Sequence, residues 1–291
     1  MTSAESTTVM IPARTRQQAM DWSLVLLSQG VESVIQDAEA GWGLLVEIDD
    51  HERAREILRK YRRENRRWHW QRRLRWPEFA FHYGVLFWCF ALIAFYWLSS
   101  NPSTQMKSAG TMNSQAVLGG AWWQLFTATV LHADLAHLIA NLTTGFLLLG
   151  LAMGRYGAGC ALLATYLAGA AGNLAGLLFR SQPYAGLGAS GMVMGGLGLL
   201  AIQTLSFKRT RPFVTRYLIT GLFAGLMLFV LFGVDPAADV LAHLGGFMAG
   251  LLFGAIMSLV PDKRLVCATV NVGAGVSLGL LLAISWAMAL R

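Results

Sequence analysis

Charged side chains are scarce in this sequence. Only 13% of its 291 residues are Asp, Glu, Lys or Arg, compared with about 25% in typical soluble domains. Apolar residues make up 55% of the chain, and the mean hydropathy is +0.49. This composition excludes an ordinary soluble protein and predicts a membrane protein. Much of the positive charge lies between Arg53 and Arg75, so we predict a boundary between two parts of the chain near Pro77.

Cysteine is also rare, and its placement argues against disulfide or metal chemistry. The three cysteines, Cys89, Cys160 and Cys267, lie within apolar runs, without CxxC spacing and without a nearby histidine. We interpret them as small buried apolar residues. The sequence therefore predicts neither a metal site nor a cofactor.

The first 18 residues lack the apolar core of a signal peptide. We therefore expect the N-terminal segment to remain in the cytoplasm. It is predicted to fold as a helix, two strands joined by a turn near Gly41, and a second helix that begins at the Asp49-Asp50 pair. The fold class that follows is an all-α polytopic membrane protein preceded by a small α/β cytosolic domain.

Seven apolar runs are long enough to cross a bilayer as helices. They cover residues 79–98, 135–153, 157–179, 189–207, 217–234, 240–260 and 265–290. None of them contains an Asp or Glu. An ion or proton transporter is therefore disfavoured, because transporters commonly use carboxylates inside the membrane.

Short connecting segments predict the orientation through their Lys and Arg content. With the N-terminus inside, the cytoplasmic loops contain Arg155, Lys208, Arg209, Arg211, Arg216, Lys263 and Arg264. The outer side then contains only Lys107, Arg180 and Arg291. We expect a cytoplasmic N-terminus and an outer C-terminus, in a bacterial inner membrane.

The basic flank before the first span has two possible partners. Its arginines alternate with Trp68, Trp70 and Trp76, a combination that suits anionic lipid headgroups at a membrane surface. Nucleic acid also binds basic aromatic segments, but we favour lipid because the flank directly precedes a span. No nucleic-acid partner is expected.

Polar groups inside the spans are few, and the topology places them at one depth. Ser190 opens the fourth span, His243 lies early in the sixth, and His137 and Asn141 lie one helical turn apart in the second. All three spans enter from the predicted outer face, so these groups can surround one cavity. Taken singly, each is more often a packing or hydrogen-bonding residue, but together they suggest a serine nucleophile with a histidine base.

Glycines surround the serine and continue onto the sixth span. Gly186, Gly188 and Gly191 can free the backbone around Ser190 and expose amide N–H groups to an oxyanion. Gly191 and Gly195 form a small-residue face on the fourth span. A matching face on the sixth span consists of Ala242, Gly246, Gly250 and Gly254.

These motifs together resemble those of rhomboid intramembrane serine proteases. GLGASG is similar to the GxSG nucleophile motif, AHLGGFMAG to the AHxxG motif of the sixth span, and HADLAHLIAN to the HxxxxHxxxN motif of the second. The resemblance covers roughly residues 79–260 and implies a six-helix core followed by one further helix. Together with the sequence patterns before and after this region, it divides the chain into a small α/β domain at 1–66, a linker at 67–78, the core at 79–260 and the seventh helix at 261–291.

The resemblance also implies roles for individual residues and a substrate class. Ser190 would be the nucleophile, His243 the general base, and His137, Asn141 and the Ser190 amide the oxyanion hole. Supporting residues would be His132, Gly188, Gly191 and Gly246. The substrate would be a single-span transmembrane protein, cut near its outer end after a small residue. Asp239 is favoured as a helix cap over a third member of a triad.

The sequence departs from the family pattern at two positions. Many bacterial relatives have a Trp-Arg pair in the loop after the first span, and this chain has Trp123-Gln124. Some relatives have an aromatic residue four positions after the serine, and this chain has Met194, whose sulfur can still contact a ring. The alternative to a protease is a catalytically silent rhomboid-like protein that binds membrane clients.

Overall fold

The computed structural model describes residues 8–38, 41–65, 81–203, 205, 214–233 and 239–291. The chain divides into two compact units, Met1–Arg75 and Trp76–Arg291, close to the boundary predicted near Pro77. Residues 66–80, which include Trp68, Trp70 and Trp76 of the basic flank, and the three loop residues Lys208, Arg209 and Arg211 lie outside the described residues. The finer domain limits stay predictions.

The N-terminal unit combines a small antiparallel sheet with two helices. Strand β3 is the central strand, with β1 and β2 at its edges. In chain order the elements are β1 (Thr8–Pro12), α1 (Arg16–Ser28), β2 (Val34–Ala38), β3 (Gly41–Glu47) and α2 (His51–Glu64). The predicted helix, strand pair and second helix are confirmed. The omission of β1 was wrong, because this five-residue edge strand buries only Ile11 and shows little periodicity.

The core of this unit forms where the helices pack on the sheet. Trp22 and Leu26 of α1 and Leu44 of β3 are fully or almost fully buried. Helix α2 contributes Leu58, which lies on the buried face of this otherwise strongly basic helix. The Arg62 guanidinium lies 4.2 Å from the Trp22 ring, a cation–π contact that ties the basic face of α2 to α1.

Seven apolar helices occur among the described residues of the second unit. Four of them are long and apolar enough to cross a membrane, namely Leu135–Tyr156, Ala158–Phe179, Val240–Met257 and Ala268–Ala289, whereas Val85–Ser100, Ser190–Ile202 and Tyr217–Phe232 are shorter apolar helices. Their full bounds are α3 (Val85–Ser100), α7 (Leu135–Tyr156), α8 (Ala158–Phe179), α9 (Ser190–Ile202), α10 (Val214–Gly233), α11 (Val240–Met257) and α13 (Ala268–Ala289), and the short helix α12 (Asp262–Leu265) precedes α13. The chain is therefore a polytopic, mostly helical membrane protein, and crossing by the three shorter helices stays a prediction.

Glycines allow α9 and α11 to approach each other at backbone distance. A Cβ atom on Gly246 would overlap the carbonyl oxygen of Gly191, and one on Gly250 would overlap that of Gly195. Only a residue without a side chain permits this contact. The predicted matching small-residue faces are confirmed.

A structured segment joins α3 to α7. It contains the short helices α4 (Met106–Gly110), α5 (Ser114–Leu118) and α6 (Gln124–Thr127) and the two-residue strand β4 (Met112–Asn113), which pairs with β5 (Ala185–Gly186) just before the serine. Buried Gln124 accepts a hydrogen bond from the Asn113 N–H (3.0 Å) and donates to Ala109 O (3.3 Å). Gln124 thus joins α6 to the chain around β4 without an arginine.

Helix α13, the seventh apolar helix, is fastened to this unit at both ends. Asn271 Oδ1 accepts hydrogen bonds from the N–H groups of Gly159 (3.0 Å) and Cys160 (3.2 Å) in the first turn of α8. Near the other end, the Trp286 ring stacks on Phe95 with a centroid separation of 5.6 Å. Because first-turn amides lack helical acceptors, Asn271 satisfies two groups that would otherwise be unpaired in an apolar environment.

Candidate active site

A cavity of about 1060 Å³ lies where the N-terminal ends of α7, α9 and α11 meet. Its lining includes the four residues predicted to share one depth, namely His137, Asn141, Ser190 and His243. The structure therefore brings together residues from three sequence motifs that are about 50 positions apart. His132 and the three supporting glycines lie outside this lining.

Ser190 is the first residue of α9, and Gly188 sets the approach to it. Gly188 has φ +140, a backbone conformation that residues other than glycine rarely adopt. Its N–H donates to Ala128 O at 2.9 Å. A Cβ atom there would lie 2.7 Å from Cε1 and 2.8 Å from Nε2 of His137, and 3.8 Å from Ser190 Oγ. The absent side chain thus leaves room for the His137 ring beside the serine.

The start of α9 also supplies unpaired backbone donors. The first N–H groups of a helix have no acceptor within it, and the helix dipole makes this end attractive to negative charge. Because α9 begins at Ser190, these amides are next to the hydroxyl. An oxyanion that forms on a group bonded to Ser190 Oγ can be stabilised there.

His243 lies in the first turn of α11 and is 5% exposed. Its N–H donates to the carbonyl oxygen of Asp239 at 2.9 Å. The Asp239 carboxylate accepts a hydrogen bond from the Ala242 N–H at 3.0 Å, which confirms Asp239 as the cap of α11. The close α9–α11 contact at Gly246 lies within one turn of His243 and brings the histidine helix against the serine helix.

His137 and Asn141 occupy successive turns of α7. Asp134 caps this helix by accepting a hydrogen bond from the His137 N–H at 2.8 Å. Asn141 is 5% exposed, and its Nδ2 donates to His137 O at 3.0 Å. A side-chain amide has two N–H bonds, so the second can serve an acceptor in the cavity.

His132 is buried beside His137. Its ring is 1% exposed and makes an edge contact with the His137 ring, with centroids 5.2 Å apart. Neither ring nitrogen of His132 has a hydrogen-bond partner among the described residues. Burial, and secondarily the charge of a protonated His137, lower the pKa of His132 from 6.5 to about 4. His132 precedes α7, and its ring packs against the edge of the His137 ring; its role as a supporting residue stays a prediction.

Acidification from pH 7 to pH 5 should destabilise the folded protein through His132. The pKa of His132 is lower in the folded protein than in the unfolded chain, so protonation favours unfolding. The contribution of neutral His132 to the free energy of unfolding is complete above pH 6.5 and is lost as the pH falls toward 4. One such group changes the free energy of unfolding by at most ~1.4 kcal/mol per pH unit. Thermal unfolding in detergent at pH 7, 6 and 5 should show a smaller pH dependence for His132→Gln than for the unaltered protein. If the Tm of both proteins depends equally on pH, His132 is not the group whose protonation destabilises the fold.

Sequence reasoning missed several residues of the cavity wall. Arg180 was counted only as an outer charge, yet it lines the cavity together with Thr111 and Thr144. No local pattern distinguishes these residues, because they reach the site through the tertiary fold. Asp134 had a recognisable signal, an Asp immediately before an apolar helical run. Met194 lines the cavity at 3% exposure, and its contact with a ring stays a prediction.

Comparisons with known proteins agree with the position of this site. Residues 119–260 match the family model described as Rhomboid domain, a segment that contains all four cavity residues above. The chain is 32% identical over 184 residues to Rhomboid protease GluP of Bacillus subtilis, covering 61% of this chain and 35% of that protein. It is 30% identical over 170 residues to RHOMBOID-like protein 4 of Arabidopsis thaliana, covering 56% and 41% of the two chains.

A second Arabidopsis thaliana protein, RHOMBOID-like protein 1, is 29% identical over 176 residues, which cover 58% of this chain and 44% of that protein. The chain thus spans less than half of the length of these relatives. The matched family segment lies within the membrane unit and includes most of the residues that line the cavity. The membrane unit therefore contains a Rhomboid domain at residues 119–260, and the chain is similar to a rhomboid protease of Bacillus subtilis.

Proposed function

We propose that this protein is an intramembrane serine endopeptidase that cuts transmembrane proteins near the outer membrane face. The observation that carries the proposal is the convergence of Ser190, His243, His137 and Asn141 on one cavity at the ends of three apolar helices. A glycine-flanked serine at a helix N-terminus, packed close to a helix that contains a buried histidine, is suited to acyl transfer.

The reaction begins when His243 accepts the proton of Ser190 and Oγ attacks the scissile carbonyl carbon. The negative charge that develops on the carbonyl oxygen is stabilised by the Ser190 N–H, His137 and Asn141. The protonated His243 then donates its proton to the leaving amine, and the C–N bond breaks. Water, activated by His243, hydrolyses the ester and restores the Ser190 hydroxyl.

A dyad without an acid fits the hydrogen bonding of the cavity carboxylates. Asp134 caps α7, and Asp239 caps α11 and pairs with Arg180. Both carboxylates line the cavity, but their observed partners are backbone N–H groups and a guanidinium. The proposed mechanism therefore uses two catalytic side chains and no third carboxylate.

The membrane setting extends the proposal. The distribution of Lys and Arg supports a bacterial inner membrane location with the cavity toward the outside and the N-terminus in the cytoplasm. A single-span substrate would present an extended segment to the cavity, with a small residue before the cut. The exposed basic face of α2, including Arg59 and Arg63, supports contact of the region from Arg53 to Arg75 with anionic lipid headgroups.

Fluorophosphonate labelling of the full-length protein in detergent tests this proposal. Such probes phosphonylate a serine, with release of fluoride, only when a base and an oxyanion hole activate it. We expect one adduct, on the tryptic or chymotryptic peptide that contains Ser190. Folded protein that remains unlabelled would contradict the protease and favour the alternative, a silent rhomboid-like protein that binds membrane clients.

A further inference from the structure

An ion pair between Arg180 and Asp239 lies in the wall of the candidate active site. Arg180 follows directly after α8, and its Nη2 donates to Oδ1 of Asp239. The two residues are 59 positions apart, and both line the cavity that contains Ser190 and His243. Their side chains are 32% and 26% exposed, so the pair is partly shielded from water and is stronger than a fully exposed one.

Asp239, the acidic member of the pair, accepts hydrogen bonds from the first turn of α11, the helix that contains His243. Asp239 Oδ1 also accepts the Ala242 N–H at 3.0 Å, and its backbone oxygen accepts the His243 N–H at 2.9 Å. Its other carboxylate oxygen lies beside Gly186, since a Cβ atom on that glycine would be 3.6 Å from Oδ2. Asp239 thus touches both the first turn that contains His243 and the segment that leads to Ser190.

The arginine end is held on the serine side. Its guanidinium carbon lies 4.5 Å from the centroid of the Tyr184 ring. Tyr184 is itself fixed, because its hydroxyl donates to Asn173 O at 2.9 Å and its N–H donates to Ser114 Oγ at 3.0 Å. A movement of Arg180 would therefore disturb the segment from Tyr184 to Ser190.

We propose that Arg180 and Asp239 are positioning residues that hold the Ser190 segment and the His243 helix in register. This inference rests on the proposed serine protease function. The nucleophile and its base lie on separate elements, and proton transfer requires them within hydrogen-bonding reach. Besides the glycine contact of α9 with α11, the ion pair is a second link between the α8–α9 connection that leads to Ser190 and the start of the helix that contains His243.

Two variants separate the ion pair from the helix cap. Asp239→Asn keeps a good capping side chain, because Asn caps helices about as well as Asp, but removes the negative charge. Arg180→Gln removes the positive charge, and Arg180→Lys restores it. Asp262→Asn is the matched control, since it removes the carboxylate of the Arg155–Asp262 ion pair, which is not part of the cavity lining.

The rate of fluorophosphonate labelling measures dyad geometry, because the probe has no peptide side chains for Arg180 to bind. We expect a decrease of about 10-fold in Arg180→Gln and in Asp239→Asn, since small misplacements of catalytic groups cost that much or more. The double variant should be no slower than either single variant, and Arg180→Lys should recover part of the rate. The Tm values should stay close to that of the unaltered protein, and Asp262→Asn should label normally.

The outcomes distinguish this inference from the proposed function. If the unaltered protein labels and the Arg180 and Asp239 variants label at the same rate, the positioning role is wrong and the protease stands. Effects that multiply in the double variant, or that follow a parallel fall in Tm, would show separate or purely structural roles and overturn the inference. An unlabelled but folded parent protein would overturn both proposals.

Discussion

Replacing Ser190 or His243 by Ala is expected to lower cleavage of a transmembrane substrate by ~10⁴-fold or more. Ser190 supplies the nucleophilic oxygen, and without His243 its proton has no acceptor in the dyad. The measurement is the initial cleavage rate in detergent or proteoliposomes with a single-span substrate. Fluorophosphonate labelling of the same preparations should be lost in parallel.

The double variant Ser190→Ala with His243→Ala provides a sharper test. Residues that act as one unit lose their effect together, so the double variant should be about as slow as either single one. Ser181→Ala is a matched control, because Ser181 is an exposed serine in the α8–α9 connection. Ser190→Ala and Ser181→Ala should retain the Tm of the parent protein within a few degrees, because each removes only a hydroxyl group. The His243 variants lose a buried ring, so all cleavage rates are measured well below the Tm of each variant. Cleavage by Ser190→Ala at the parent rate would exclude Ser190 as the nucleophile.

The positions of the candidate catalytic groups could be predicted because they depend on local rules. Ser190, His243 and His137 lie in the first turns of apolar helices whose limits and common direction follow from hydrophobic length and loop charge. The glycine faces were equally readable, since Gly191 with Gly195 and Gly246 with Gly250 show helical spacing. Helices and their faces are short-range properties of a sequence.

The links between elements could not be predicted in the same way. The Arg180–Asp239 ion pair joins two residues 59 positions apart, and Asn271 caps α8 from a helix more than 100 positions later. Strand β1 was missed because its partner β3 lies about 35 residues downstream and provides the stability that its own sequence does not show. Each of these features depends on tertiary contacts, which single-sequence patterns do not encode.

The second large effect is expected from Gly246→Ala, which adds a single methyl group. Its Cβ would overlap the carbonyl oxygen of Gly191 and lie 3.0 Å from the Gly191 Cα, and backbone atoms cannot rotate away. Overpacking of this kind destabilises by ~1–3 kcal/mol, so the Tm should fall. Because α11 must move away from α9 to relieve the overlap, we also expect the labelling rate of Ser190 to fall by ~100-fold.

Two other glycines turn this into a graded test of the α9–α11 contact. Gly250→Ala creates the same overlap with Gly195 O, one turn farther along α11, and should lower the Tm similarly while reducing the labelling rate less. Gly279→Ala in α13 should lower neither, because a Cβ there has no atom within 4 Å and Ala favours a helix over Gly by ~1 kcal/mol. The Tm values and labelling rates of the three variants, measured side by side, test whether the α9–α11 contact sets the geometry of the candidate dyad. If Gly246→Ala labels like Gly279→Ala, the close packing of α11 on α9 does not set the geometry of Ser190 and His243, and the dyad must be held by other contacts such as the Arg180–Asp239 pair.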